Sequence, residues 1–111
     1  LARNGEFDRP TIMNVSPAEN ERNVNPNTNI EILFSQAMDK VKTEQGINIS
    51  GGEANVRFIW KSDFLLQIQF KTAMTIGKRY EVRFDKNLVK DARGNFLAEN
   101  KLTYFYTTGI D

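Results

Sequence analysis

Apolar and polar side chains alternate with a period of two along several short stretches of this chain. In Asn29–Phe34, for example, Ile30, Ile32 and Phe34 alternate with Glu31 and Leu33. This alternation is typical of a strand with one buried face. It predicts about seven strands, which in chain order are Thr11–Val15, Asn29–Phe34, Ile47–Ile49, Val56–Trp60, Phe64–Phe70, Arg79–Phe84 and Leu102–Thr108.

A short helical segment is predicted after the second strand. Ala37, Met38 and Val41 fall at helical spacing, Ser35 is a candidate N-cap and Gly46 is a stop signal. We expect one or two turns whose apolar face, Val41 included, closes one end of the core.

The stretches between the strands carry turn signals. Ala18–Thr28 is polar and rich in Asn, which predicts a loop with at most Val24 paired to a strand. Gly51 and Gly52 end the third strand, and Gly94 or Asn95 is expected to adopt a positive φ. In the crossover after Phe70, Met74 and Ile76 are expected to point inward.

Together these elements predict an all-β antiparallel β-sandwich of about seven strands, with a short helical turn after the second. The predicted core is a row of inward residues. These are Ile30, Ile32, Phe34, Phe58, Leu66, Ile68, Val82 and Phe105. An odd number of antiparallel strands places the two termini at opposite ends.

The length of 111 residues fits one domain that buries a single core without disulfides. We place the sandwich at residues 10–108. Residues 1–9 are interpreted as a linker or a remnant of cloning, and residues 109–111 as a C-terminal linker. No apolar run approaches the length of a membrane-spanning helix, so we predict no membrane insertion.

Charge and residue types exclude several classes of function. The formal charge is +1 and the basic residues are dispersed, which argues against a nucleic-acid partner. The chain has no His and no Cys, which removes the usual zinc sites, cysteine nucleophiles and imidazole-dependent triads. The acids considered as a hydrolytic pair lie in separate loops, without an inward-facing pair; they are Glu19, Glu21, Asp39, Glu44 and Asp63. We therefore predict no enzymatic activity, no catalytic residues and no cofactor.

The candidate ligand-binding residues are aromatic. Trp60, the only tryptophan, is a possible sugar platform if it is exposed and flanked by Tyr104 and Tyr106 on the outer face of the last strand. The alternative is that Trp60 shares the inward face of its strand with Val56 and Phe58 and packs against the core.

Asp85, Asn87 and Asp91 are oxygen ligands that precede a glycine, an arrangement that suggests calcium. The EF-hand pattern does not fit, because Lys90 stands at its glycine position and Phe96 at its glutamate position. We predict no metal site of that kind and leave an irregular calcium site as an alternative.

The ordered set of motifs resembles the bacterial immunoglobulin-like domain of surface-layer and other exported multidomain proteins. The residues that carry the resemblance are Val15, Ser16, Pro17, Ile30, Ile32, Phe34, Ser35, Met38, Gly77, Tyr80, Asp91, Gly94, Asn95, Phe105 and Thr107. The resemblance implies a non-catalytic immunoglobulin-like sandwich of an extracellular or cell-envelope protein. It carries over no active-site residues.

Three hypotheses for function follow. The first is a structural or spacer module whose partners are the neighbouring domains of the same chain. The second is a module that binds a cell-surface glycan or protein through Tyr104 and Tyr106 or through the loop Ala18–Thr28. The third is an accessory domain beside a catalytic domain.

Overall fold

The computed structural model describes residues 9–50 and 55–109. Over these ranges it has eight strands and one helix: β1 Ile12–Ser16, β2 Glu21–Val24, β3 Ile30–Phe34, α1 Lys40–Gln45, β4 Ile47–Ser50, β5 Val56–Ser62, β6 Leu65–Phe70, β7 Arg79–Phe84 and β8 Lys101–Thr107. The first sheet has the order β1-β3-β6-β5 and the second β2-β8-β7-β4. The prediction of an all-β sandwich is confirmed, and each of the seven predicted strands is present.

The two sheets enclose the core between their inward rows. The predicted inward residues are all in it, with Phe58 partly buried at its margin. Residues after β7 add to this core, since Val89 and Leu97 are also buried. Each large apolar side chain withdrawn from water in this way stabilises the fold by about 1.5–3 kcal/mol, so the two rows account for the cohesion of the sandwich.

Tyr80 of β7 connects the two sheets. Its ring stacks on Phe105 of the same sheet at a centroid distance of 5.8 Å and meets Phe70 of the other sheet edge-on at 5.9 Å. Its buried hydroxyl accepts a hydrogen bond from the backbone N–H of Thr75 at 2.8 Å. A single side chain therefore holds both sheets and the crossover between β6 and β7.

The segment predicted as a loop contains a strand, β2, and that prediction was wrong. After β1 the chain passes Pro17, whose peptide bond with Ser16 is cis, and continues as β2 in the second sheet. β2 pairs in parallel with β8, so the sandwich is not antiparallel throughout. Only Val24 of this strand is buried, and Asn20 and Asn23 adopt positive φ, which explains why no alternation marks it.

The helical turn lies where it was predicted, but its cap and its buried face differ. Asp39 caps α1, since its Oδ1 accepts from the N–H of Lys42 at 3.0 Å. The Ser35 hydroxyl instead accepts from the N–H of Thr11 at 2.9 Å. Met38 and Thr43 are buried, whereas Val41 is 64% exposed, so the predicted inward position of Val41 is wrong.

The sandwich has two distinct ends. The helix end holds α1 and residues 85–100, which are joined by hydrogen bonds such as that from the N–H of Ala92 to the carbonyl of Ala37. The far end holds residues 25–29 and 71–78, joined by a bond from the N–H of Met74 to the carbonyl of Pro26. β8 runs from the helix end to the far end.

Several smaller predictions can be compared with the structure. Gly94 adopts φ +92°, as expected of the late turn. Phe64 lies in the turn before β6 and is 46% exposed, and Ile76 is 45% exposed, so neither joins the core. The predicted glycine stop at residues 51–52 lies outside the described ranges, and so do the predicted linker 1–9 except Arg9 and the predicted C-terminal linker 109–111 except Gly109.

At Gly46 the end of α1 packs closely against the turn after β7. A Cβ built there would lie 2.5 Å from Cγ2 of Val89 and 3.0 Å from its backbone nitrogen. We expect Gly46→Ala to destabilise the domain by about 1–3 kcal/mol through overpacking, measured by urea denaturation. Gly109→Ala is the matched control, because nothing lies within 4 Å of its Cβ position. Equal stability of the two variants would contradict this packing.

Candidate functional site

Trp60 packs at the margin of the core. Its ring lies against that of Phe34 with a centroid distance of 6.2 Å and an interplanar angle of 24°. Its indole N–H donates to Oε2 of Glu44, at the end of α1, at 2.8 Å. The residue therefore fastens α1 over the edge strand β5 of the first sheet, and the alternative of inward packing is the one that the structure shows.

Tyr104 and Tyr106 lie on β8, on the outer face of the second sheet. Between them, Phe105 points inward and is 1% exposed. The structure brings the two tyrosines together, with ring centroids 6.1 Å apart and an edge-on angle of 84°. It does not bring Trp60 to them, because Trp60 belongs to the first sheet. Glycan binding stays a prediction, but these three rings do not form one platform.

The two tyrosines are part of a larger surface that we call the arginine–tyrosine face. It consists of residues on β2, β7 and β8: Arg22, Arg79, Glu81, Arg83, Tyr104 and Tyr106. The guanidinium of Arg22 lies 4.2 Å from the ring centroid of Tyr106, and that of Arg79 lies 4.1 Å from that of Tyr104. These distances are those of cation–π contacts, so each ring has a guanidinium over one face.

A carboxylate holds the arginines of β7 in place. Glu81 accepts from Nη2 of Arg79 at 3.0 Å through one oxygen and from Nη2 of Arg83 at 2.8 Å through the other. Arg79 also donates from Nη1 to the Tyr106 hydroxyl at 3.3 Å. The outward charged residues of β7 and the Tyr106 hydroxyl thus form one connected network.

The contacts of this network shift the pKa values of Arg79 and Glu81. The hydrogen bond to the Tyr106 hydroxyl, with Glu81 acting in the same direction, raises the pKa of Arg79 above its usual value. Partial desolvation would raise the pKa of Glu81, but Arg79 and Arg83 outweigh it and hold that pKa below its usual value. Both shifts favour the charged forms of Arg79 and Glu81.

Arg22 was not found by sequence reasoning. The pattern around it predicts a loop, and a lone arginine in a loop carries no signal. It reaches Tyr106 only because β2 pairs with β8 in parallel. No local alternation could have indicated that contact.

The residues considered for calcium do not form a cluster. Asp91 is 2% exposed, and its Oδ1 accepts from the N–H groups of Arg93 at 2.9 Å and Asn95 at 2.8 Å. Its Oδ2 accepts from the side-chain amides of Gln36 at 2.9 Å and Asn95 at 3.1 Å. Burial alone would raise the pKa of Asp91, but these donors hold it below its usual value. Both carboxylate oxygens are therefore engaged within the protein.

Asp85 is used differently, since its Oδ1 accepts from the N–H of Asn87 at 2.8 Å in the turn after β7. Among the residues that the structure describes, no group of three or more acidic, histidine or cysteine side chains is placed to hold a metal ion. Within the same ranges no helix is long and apolar enough to cross a membrane.

Comparison with known proteins identifies a family. The family model described as the bacterial immunoglobulin-like domain matches residues 7–108. No curated protein sequence matches the chain.

Solved structures with a similar fold include two L,D-transpeptidases and a surface-layer protein. The L,D-transpeptidase LdtMt1, solved in complex with imipenem, is 19% identical with a TM-score of 0.68, and an L,D-transpeptidase from Mycobacterium smegmatis is 14% identical with a TM-score of 0.65. The N-terminal part of the bacterial S-layer protein SbsC is 18% identical with a TM-score of 0.57.

In each case the similarity covers 89% of this chain but a smaller part of the other. That part is 40% of each of the two transpeptidase chains and 23% of the S-layer chain. At these identities the likeness establishes the fold. The chain thus has the length of one part of those larger proteins.

The packing of Trp60 yields a test of its role. We expect Trp60→Ala to destabilise the domain by about 2–4 kcal/mol, because it removes the contact with Phe34 and leaves Glu44 without the indole donor. Tyr106→Ala, on the outer face, is expected to cost about 1 kcal/mol. Thermal and urea denaturation measure both. An unchanged stability of Trp60→Ala would show that the ring is dispensable for the fold.

The buried carboxylate of Asp91 yields a second test. Asp91→Asn places an NH₂ group against the amide donors of Gln36 and Asn95, which we expect to cost about 2–3 kcal/mol at neutral pH. Asp85→Asn, which keeps its acceptor for Asn87, is the matched control and should stay within about 0.5 kcal/mol.

The pH dependence has a defined sign. Because the pKa of Asp91 is lower in the folded protein than its ordinary value of 3.8, its stabilisation is present above that value and is lost as the pH falls through the folded pKa. We expect the difference in free energy of unfolding between wild type and Asp91→Asn to shrink below about pH 4. A difference independent of pH would contradict the assignment.

Proposed function

Because this chain belongs to the bacterial immunoglobulin-like domain family, we propose that it is a non-catalytic spacer module of an exported or cell-surface multidomain protein. Its partners are then the neighbouring domains of the same chain. The proposal is supported by the position of the two ends of the domain and by the way in which the first and last strands are paired.

The chain enters and leaves the sandwich at opposite ends. At the helix end, Nη1 of Arg9 donates to the carbonyl of Phe96 at 3.1 Å. At the far end, the N–H of Thr108 donates to the carbonyl of Val24 at 2.9 Å. The length of β8, roughly 20 Å at 3.3 Å per residue, separates these two points. A module with this geometry adds length between the domains on either side of it.

The pairing of β2 with β8 suits a spacer under tension. The strands are parallel, yet tension on the termini pulls β2 toward the helix end and β8 toward the far end. The hydrogen bonds between them then lie across the direction of pull and are loaded together. When a hairpin is pulled open from one end, by contrast, its bonds break one after another.

Force spectroscopy tests this geometry, and the chain suits it because it contains no cysteine. One variant carries Arg9→Cys and Gly109→Cys as attachment points, and the control carries Lys78→Cys and Gly109→Cys, which opens the β7–β8 hairpin from the far end. We expect a higher unfolding force for the first pair, because its load is shared by the β2–β8 bonds. Equal forces in variants of equal chemical stability would contradict the spacer role.

A second candidate function is that of an accessory domain beside a catalytic domain. It is supported by the fold that this chain shares with part of the two L,D-transpeptidase chains. A spacer module and an accessory domain with this fold would present the same outer surface. The nature of the neighbouring domain in the host protein distinguishes them.

A further inference from the structure

The arginine–tyrosine face is more basic than the chain as a whole. It holds three arginines and one glutamate, whereas the whole chain has a formal charge of +1. Within residues 9–50 and 55–109, Glu81 is the carboxylate in ion-pair contact with Arg79 and Arg83, and no carboxylate makes such a contact with Arg22. Among the described residues, ion pairs therefore neutralise the positive charge of this face only in part.

The positive groups are spread over three strands. Arg22 and Arg79 lie on strands separated by β8, which places their backbones about 10 Å apart, and Arg79 and Arg83 are four residues apart along β7, or about 13 Å. One carboxylate can bridge Arg79 and Arg83, as Glu81 does, but the backbones of Arg22 and Arg83 differ both in strand and in level along the sheet and are the most widely separated pair of the face. A partner that meets all three arginines must carry several acidic groups distributed over a surface or along an extended chain.

The face is also ordered before a partner arrives. The guanidinium groups of Arg22 and Arg79 lie over the tyrosine rings, and Glu81 holds Arg79 and Arg83 through hydrogen bonds. Side chains that are already positioned lose less conformational entropy on binding. Arginine and tyrosine are the residue types enriched at the energetic centres of protein interfaces.

The chemistry of the face favours carboxylates on a polypeptide over a sugar. A sugar stacks on an open ring face, but here each tyrosine has one face beneath a guanidinium. The fit to a carboxylate is visible in Glu81, which accepts from Arg79 and Arg83 with distances of 2.8–3.1 Å. Arginine recognises carboxylates through such paired donors.

We propose that the arginine–tyrosine face docks an acidic polypeptide segment of a partner protein. Carboxylates of the segment pair with Arg22 and Arg83 at the two sides of the face, and the rest of the segment packs along Tyr104 and Tyr106. This binding goes beyond the spacer role and does not depend on it, because the face lies on the side of the sandwich and not at its ends.

The test uses a short poly-L-glutamate peptide as probe, with isothermal titration calorimetry for affinity and backbone amide NMR for location. We expect the largest shifts at β2, β7 and β8. The double variant Arg22→Ala/Arg83→Ala should weaken binding by about tenfold or more. Arg57→Ala/Lys61→Ala removes the same charge from β5 of the first sheet, and as the matched control should change the affinity less than about twofold.

A further variant is expected to raise the affinity for poly-L-glutamate. Glu81→Gln removes the negative charge of the face and should strengthen binding, which general unfolding of the surface would not do. Circular dichroism and urea denaturation establish that each variant is folded.

Other anionic polymers separate the partner classes. Hyaluronate presents carboxylates on a sugar backbone and oligothymidylate presents phosphates, and we expect both to bind more weakly than poly-L-glutamate at the same salt concentration. Tighter binding of either polymer, equal losses in the two double variants, or no binding of the peptide would overturn the proposal. The spacer role would be untouched by such a result, because force spectroscopy tests it on a different pair of residues.

Discussion

The contact between the two inward rows is the interaction on which the rest of this structure depends. Tyr80 is at its centre, since it touches Phe105 in its own sheet and Phe70 in the other, while its hydroxyl holds the crossover at Thr75. Because alternate residues of a strand point to opposite faces, the burial of Tyr80 and Phe105 also determines which residues point outward. The arginine–tyrosine face is thus a consequence of core packing on β7 and β8.

Much of this fold could be predicted from the chain because apolar side chains recur at every second residue in most of its strands. Alternation identified each strand that buries a row of apolar residues, and the inward row from Ile30 to Phe105 is where it was expected. It could not identify β2, which buries only Val24 and pairs through its backbone. The cap of α1 was also misplaced, because Ser35 and Asp39 are both suitable residue types and only their surroundings decide between them.

The candidate site was predictable in part for the same reason. Alternation along β8 placed Tyr104 and Tyr106 on an outer face, and along β5 it allowed Trp60 to be inward. It does not say which sheet a strand joins, so the distance between Trp60 and the tyrosines could not be inferred. The role of Arg22 could not be inferred from local alternation, because its contact with Tyr106 joins residues more than eighty positions apart along the chain.

The parallel pairing of β2 with β8 has one more consequence, for how copies of such a module could be arranged. The chain enters and leaves the sandwich at its two ends, whereas Arg22, Tyr104 and Tyr106 lie on its side. In a filament of linked domains these residues would remain accessible from the flank at every position. The number of linked domains and the residues that bind a partner on the side can then change independently in evolution. The connections between domains and the arginine–tyrosine face occupy different parts of the domain.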